Sequence, residues 1–288
     1  MKFMQKLKQK MHDNKFQREA KNRRNKGDTM SASIDLKGKK AVVFGVATDK
    51  SIGWSIAKAL NDAGCQIALG YQERAEEYVK ELAKELKDPF LAPCDMVADE
   101  FIENFFEKVE KEFGKFDFLI HSVAFAKKDY LQGKFYEVPR RAYNTAQEVS
   151  AYSLTAITRE SVKRKLLNKD GAILSMTYLG SVMAVQNYNV MGVAKAALES
   201  ITRYLAMDLG ENGIRVNAIS AGPIATMAAS GITGFEDILK HAEKKALLKR
   251  NISAEDVGNT ALFLCSDMSK NITGQVIYVD AGYSVNGL

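Results

Sequence analysis

The sequence predicts an α/β fold, a doubly wound parallel sheet of about seven strands with helices on both faces. Two observations carry this expectation. From Leu36 onward, short β-type runs alternate with stretches of helical periodicity, the pattern of strands joined by crossover helices. The first run, Lys40-Ala41-Val42-Val43-Phe44, is apolar and closed by Gly45, and it feeds through Ser51 and Gly53 into a helical pattern from Trp54 to Ala63. Strands are expected at 40–45, 66–70, 89–94, 117–121, 171–176, 214–219 and 275–279, and helices near 52–63, 74–86, 98–113, 140–164, 189–210 and 254–265. Right-handed crossovers would wind those helices onto both faces. The longest gap follows the sixth strand, and 224–250 is read as a mobile lid, because loops after strand C-termini are where such sheets bind ligands.

Composition narrows the class. A chain of 288 residues, 46% hydrophobic and 26% charged, suits one soluble domain of this kind. No apolar run is long enough to span a bilayer, and no secretory leader pattern opens the chain, so a cytoplasmic protein is expected. Cys65, Cys94 and Cys265 sit in apolar surroundings and read as reduced core residues; three histidines without Cys/His clustering predict no metal site. The net charge of +6 is unevenly spread. Residues 1–30 hold ten Lys/Arg against Asp13, Glu19 and Asp28, leaving 31 basic and 32 acidic residues in the remainder. Residues 1–33 are therefore set apart as a basic, disordered or frayed extension, with Met30 an alternative start, and 34–288 as the folded domain. The high pI belongs to the extension and is no argument for nucleic-acid binding by the domain.

Two features point to chemistry. Tyr188 and Lys195 are seven apart, which on a helix returns them to nearly the same face among small and apolar residues. A nearby cation favours the phenolate and makes the phenol a better hydrogen-bond donor to developing oxyanion charge. The pair alone also fits a half-buried tyrosine beside a solvated lysine. The turn holding Gly45, Ala47, Ser51 and Ile52 would offer backbone N–H groups and a positive dipole end to a pyrophosphate. Its spacing departs from G-x-G-x-x-G, and by itself it fits an ordinary strand–turn–helix equally well.

Together with further motifs, these residues carry a resemblance. They are the stretched glycine motif Gly45–Gly53, His121-Ser122-Val123-Ala124-Phe125-Ala126, and Tyr178 ten residues before Tyr188. Arg215 to Ile224 (RVNAISAGPI) and Gly274 to Gly282 (GQVIYVDAG) complete the set. The chain resembles the short-chain dehydrogenase/reductases and, within them, the bacterial enoyl-acyl-carrier-protein reductases of type II fatty-acid synthesis, over about residues 36 to 288. Most of the superfamily places its tyrosine four residues before the lysine; Met191 stands there here, and the wider spacing is this family's own.

The resemblance implies a Rossmann-type domain that reduces trans-2-enoyl thioesters, with catalytic Tyr188, Lys195 and Tyr178. Tyr188 would hydrogen-bond the thioester oxygen, Lys195 would hold the nicotinamide ribose, and Tyr178 would close over the reacting carbons. Asp95 would take the adenine amino group with Met96 along the ring, although Asp95 also fits a cap for the next helix. Ser122, Val123 and Ala124 would let the ribose approach the backbone, and Gly222, Ile224 and Thr226 would meet the carboxamide. His121 is assigned no proton-transfer role. Gln72 and Glu73 favour NADH, while Arg74 leaves NADPH open. Met191, Met227, Ala228, Ala229, Ile232, Phe235 and Ile238 would supply an acyl groove, a stripe that also fits plain core. Partners implied are acyl-carrier-protein substrates and further copies in a homotetramer. Relatives place basic residues on the lid, whereas Thr233 to Asp237 is acidic here, and Lys240, Lys244 and Lys245 would form a displaced basic patch. The rivals are a 3-ketoacyl or alcohol dehydrogenase of the same fold, a non-catalytic dinucleotide sensor, and a nucleic-acid binder using the extension.

Overall fold

Alternation within each strand sorts apolar side chains onto two faces. In β1 (Lys40–Phe44), Ala41 and Val43 enter one buried cluster while Val42 and Phe44 enter another. The computed structural model describes residues 34–226, 229 and 234–287; the extension and the groove residues Met227, Ala228 and Ile232 lie outside them. The other strands are β2 (Gln66–Tyr71), β3 (Phe90–Pro93), β4 (Phe116–His121), β5 (Leu167–Thr177), β6 (Arg215–Ala221) and β7 (Val276–Val279). They pair in the order β3-β2-β1-β4-β5-β6-β7, and every pair is parallel.

The helices are α1 (Ile52–Asp62), α2 (Glu76–Ala83), α3 (Asp99–Lys108), α4 (Arg140–Gln147), α5 (Ser153–Lys163), α6 (Asn189–Leu209), α7 (Phe235–Lys245) and α8 (Ala254–Cys265). One face of the sheet is covered by α1 and α8, through Trp54, Ile56, Leu60, Val257, Ala261 and Leu264. The other is covered by α3, α5 and α6, through Phe105, Phe106, Leu154, Ile157 and Leu198. Phe44 meets Phe105 and Phe106 with ring centroids 4.9 and 6.1 Å apart. Each such side chain, fully buried, contributes about 1.5–3 kcal/mol. Ser253 opens α8 with a capping box: its hydroxyl accepts from the Asp256 N–H and the Asp256 carboxylate accepts from the Ser253 N–H. None of the described helices is long and apolar enough to cross a membrane.

All seven expected strands form, and the differences lie at helix interiors. The expected helix 98–113 runs as α3 and then widens into a π-turn over Val109–Phe113. The expected helix 140–164 is interrupted by a π-turn at Glu148–Tyr152. There Ser150 Oγ holds both the N–H and the carbonyl of Phe125, at 2.9 and 3.1 Å, so the widened turn docks the segment following β4. The expected lid 224–250 includes the helix α7.

Candidate active site

A parallel sheet delivers all its strand C-termini to one edge, and the order of connection reverses between β1 and β4, the switch point at which sheets of this kind bind ligands. At that point Gly45 has φ +93°, and a Cβ on it would stand 2.0 Å from the Ser122 carbonyl oxygen. Only glycine lets the β1–α1 turn lie against the end of β4. Ser51 Oγ donates to the Thr48 carbonyl at 2.6 Å and receives the Ala47 N–H at 3.5 Å, which folds the turn back on itself. The first turn of α1, beginning at Ile52, carries no acidic side chain. This cradle fits a dinucleotide phosphate. No cluster suited to a metal ion occurs among the described residues.

Beyond β2, the Gln72 amide nitrogen donates to Asp95 at 3.1 Å. Its oxygen receives Arg74 Nε and Nη2 at 3.0 and 2.7 Å. Gln72, Arg74 and Asp95 thus form one chain of contacts, with the guanidinium already engaged by a neutral amide. Asp95 also accepts the Val97 N–H at 3.3 Å, but the residue at the N-cap of α3 is Ala98, so Asp95 does not cap that helix. Met96 is buried against the second core cluster, and Ser122 and Val123 are half-buried while Ala124 is exposed.

The two tyrosines come together. Their rings meet edge to face with centroids 4.9 Å apart. Gly180 makes room for this: a Cβ there would lie 2.5 Å from the Tyr188 ring. Tyr188 itself is not on the helix, as the seven-residue spacing suggested, but at its N-cap position with φ −125°. The helix start is pinned by Asn189, whose amide donates to the Gln132 and Gly133 carbonyls at 2.9 and 3.2 Å. Lys195, inside α6, is buried and donates its ammonium to the Met176 carbonyl near the end of β5 at 2.7 Å.

The electrostatics correct one expectation. Lys195 does not draw the Tyr188 phenol downward. Burial, reinforced by Tyr178, pushes it well above the ordinary tyrosine value. Tyr188 as a whole residue is half-buried, but its phenol end is enclosed, and the enclosure governs. Burial, then Tyr283, lifts Tyr178 to about 12. Burial lowers Lys195 to about 8, against the opposing pull of Glu199. Both phenols therefore stay protonated donors at neutral pH, and the lysine is close to its titration point.

A family profile described as "Enoyl-(Acyl carrier protein) reductase" matches residues 45–284. The chain is 47% identical over 255 residues to the enoyl-acyl-carrier-protein reductase (NADH) FabI of Bacillus cereus, covering 88% of this chain and 99% of that one. It is 45% identical over 253 residues to the NADPH-named FabI of a Staphylococcus aureus strain, covering 87% and 98%. Among solved structures, the Bacillus cereus reductase with NADP+ and an indole naphthyridinone superposes with a TM-score of 0.85 over 88% of this chain and 99% of that one, at 47% identity.

The chain belongs to the enoyl-acyl-carrier-protein reductase family. Within that frame some expected site residues find different places. Met191 is 7% exposed and packs with Val190, Ala194, Leu131 and Ala146 in a small third core cluster, against which Tyr188 also packs. Ile224 packs against the first core cluster, Gly222 is buried beside Asp280, and the Thr226 hydroxyl accepts the Ala229 N–H at 3.1 Å. Ala229, Phe235 and Ile238 are half-buried within the segment expected to form a lid. Lys240 and Lys244 are exposed, but Lys245 is half-buried with its ammonium over the Tyr283 ring at 5.3 Å, which splits the expected basic patch.

Sequence reasoning for this reductase missed a buried polar layer beneath the tyrosines. Thr177 Oγ1 donates to Glu199 at 2.7 Å, Ser175 and Thr202 hydroxyls meet at 3.2 Å, and His121 Nε2 meets Ser153 Oγ at 2.7 Å. Burial first, and the Lys195 charge second, lower His121 to about 3, so it is neutral. The available signal was Lys195, Glu199 and Thr202 at positions i, i+4 and i+7 of α6, a polar stripe on one helix face.

Proposed function

We infer that this chain is an NADH-dependent enoyl-acyl-carrier-protein reductase, reducing the 2,3 double bond of trans-2-enoyl thioesters in the last step of the fatty-acid elongation cycle. The observation that carries the reading is the Tyr178–Tyr188 pair, edge to face at the open edge of the sheet, with Lys195 anchored on the same β5 terminus. When bound, the nicotinamide supplies the hydride that adds to the β-carbon. Tyr188 would donate its phenolic hydrogen bond to the thioester oxygen as enolate charge develops there, and a proton from Tyr188 or from water would then complete the α-carbon. The raised proton affinity of Tyr188 in the free site keeps it in the donor form, and a fixed donor in a water-poor site stabilises such charge most. Lys195 holds the nicotinamide ribose hydroxyls and keeps a positive charge nearby. Tyr178 closes over the reacting carbons, while Ala229, Phe235 and Ile238, with Met227, Ala228 and Ile232, line the acyl chain.

For the nucleotide, the Gly45 turn and the first turn of α1 hold the pyrophosphate, Asp95 and Met96 the adenine, and Gln72 the adenosine ribose. Glu73 disfavours an added 2′-phosphate, which supports NADH; NADPH is the second reading, favoured by Arg74 beside Gln72. The protein works as a cytoplasmic homotetramer on acyl-carrier-protein substrates. The test is oxidation of NADH and of NADPH with a crotonyl thioester, beside a 3-ketoacyl thioester. Turnover of the ketone but not the enoyl substrate would overturn the reading in favour of another short-chain reductase.

A further inference from the structure

The buried layer behind the tyrosines contains a second ionisable group that the reaction scheme does not use. Glu199 is 6% exposed and Lys195 5%, one helical turn apart on the same face of α6. Each reaches the end of β5 through its own hydrogen bond. Lys195 Nζ donates to the Met176 carbonyl and the next residue, Thr177, donates its hydroxyl to Glu199 Oε1, both at 2.7 Å. The residue after that is Tyr178. Among the described residues the two charges form no direct ion pair within 4.0 Å, and the carboxylate acts on the ammonium through its charge.

We propose that Glu199 is a positioning residue for the reductase reaction: its carboxylate balances the buried Lys195 charge and, through Thr177, fixes the strand end that presents Tyr178. An ammonium out of water is costly unless compensated. Among the described residues Glu199 is the one anion acting on Lys195, and Asp280 acts on Tyr278 instead. His121, on β4, is neutral; the Tyr188 phenol, at the start of α6, is held protonated. Tyr278, on β7, faces Glu199 and is raised above the usual phenol range, first by its burial and then by that carboxylate. Glu199 is therefore the group that opposes the effect of burial on Lys195.

The pH-profile arm of the test rests on the reductase reading; the melting arm does not. In Glu199→Gln, which keeps an acceptor for Thr177, the alkaline fall of kcat/KM for NADH should move down by about one pH unit or more. Glu199→Asp should restore part of the shift. An alkaline limb that stays in place in a folded Glu199→Gln protein overturns the proposal, because a purely structural contact would not move it. Should that variant be too unstable to assay, the ligand-free pair Lys195→Met and Lys195→Met/Glu199→Gln decides. Removing the ammonium alone strands a buried carboxylate, so the double variant should melt at a higher temperature than the single one. A double variant melting at or below the single overturns charge balance, whatever the reaction proves to be.

Discussion

In the proposed reaction Tyr188 is the donor and Lys195 the ribose holder, and single substitutions should separate the two. Tyr188→Phe removes one oxyanion donor and should lower kcat by about 100- to 1,000-fold. NADH affinity, followed by fluorescence, should be retained. Lys195→Ala should weaken NADH binding as well, and unchanged binding would contradict the ribose contact. The pH dependence follows from the same residues. Lys195, lowered by burial to about 8, loses its proton as pH rises through that value, so kcat/KM for NADH should fall above about pH 8. The sign for stability is opposite. Between about 8 and the unfolded lysine value near 10.4, the unfolded chain binds the extra proton, so this group makes the ligand-free protein more stable as pH rises. Tyr188 and Tyr178, both raised, remain donors across this window. The identities of these residues were legible in the sequence. Their electrostatics were not, because the shift of a phenol depends on the enclosure of its hydroxyl and on its neighbours in space, not on the residue seven positions along.

At the scale of elements, the proposed choices of cofactor and partner rest on the end of β2 and on helix α7. Gln72 already occupies both donor groups named for Arg74, and Glu73 is exposed beside them. NADH should therefore be preferred, and Glu73→Ala should narrow the preference by removing repulsion of a 2′-phosphate. A higher kcat/KM with NADPH in the unaltered protein would instead make Arg74 a phosphate ligand. On α7, Glu236 and Asp237 stand in the first turn and Lys244 and Lys245 in the last, an arrangement that also suits the helix dipole. If Lys240 and Lys244 guide an acidic carrier protein, reversing them to Glu should raise KM for carrier-linked substrates and leave a pantetheine thioester little changed. Salt should remove much of the difference. Equal losses on both substrates would mean the helix itself was damaged. Periodicity located the helical stretches 98–113 and 140–164 but not the π-turns at Val109–Phe113 and Glu148–Tyr152, since one widened turn scarcely disturbs a helical pattern; what holds the second, Ser150 on the Phe125 backbone, is a tertiary contact.

Across the whole molecule, the seven parallel strands were readable because each carries a short apolar run and helical stretches alternate with them. Gly45 was readable as a turn, whereas its need to be glycine came only from the Ser122 carbonyl, 77 residues away in sequence and in contact across β1 and β4. Met191 is a similar case: its packing with Val190 and Ala194, beside Tyr188, is seen only in the folded chain. The polar layer of His121, Ser175, Thr177, Lys195 and Glu199 escaped a reading based on apolar period, because each of its hydrogen bonds joins two elements far apart in sequence. That layer, the phosphate cradle and the tyrosine pair all converge on one edge of the sheet, and their joint purpose is enoyl reduction. The most direct measurement is the rate of NADH oxidation by purified protein on adding a crotonyl thioester, for the unaltered chain and Tyr188→Phe side by side. Rapid oxidation dependent on the enoyl substrate, largely lost in Tyr188→Phe while NADH still binds, is the expected result; no enoyl-dependent oxidation with either NADH or NADPH, or full activity without the Tyr188 hydroxyl, would contradict it.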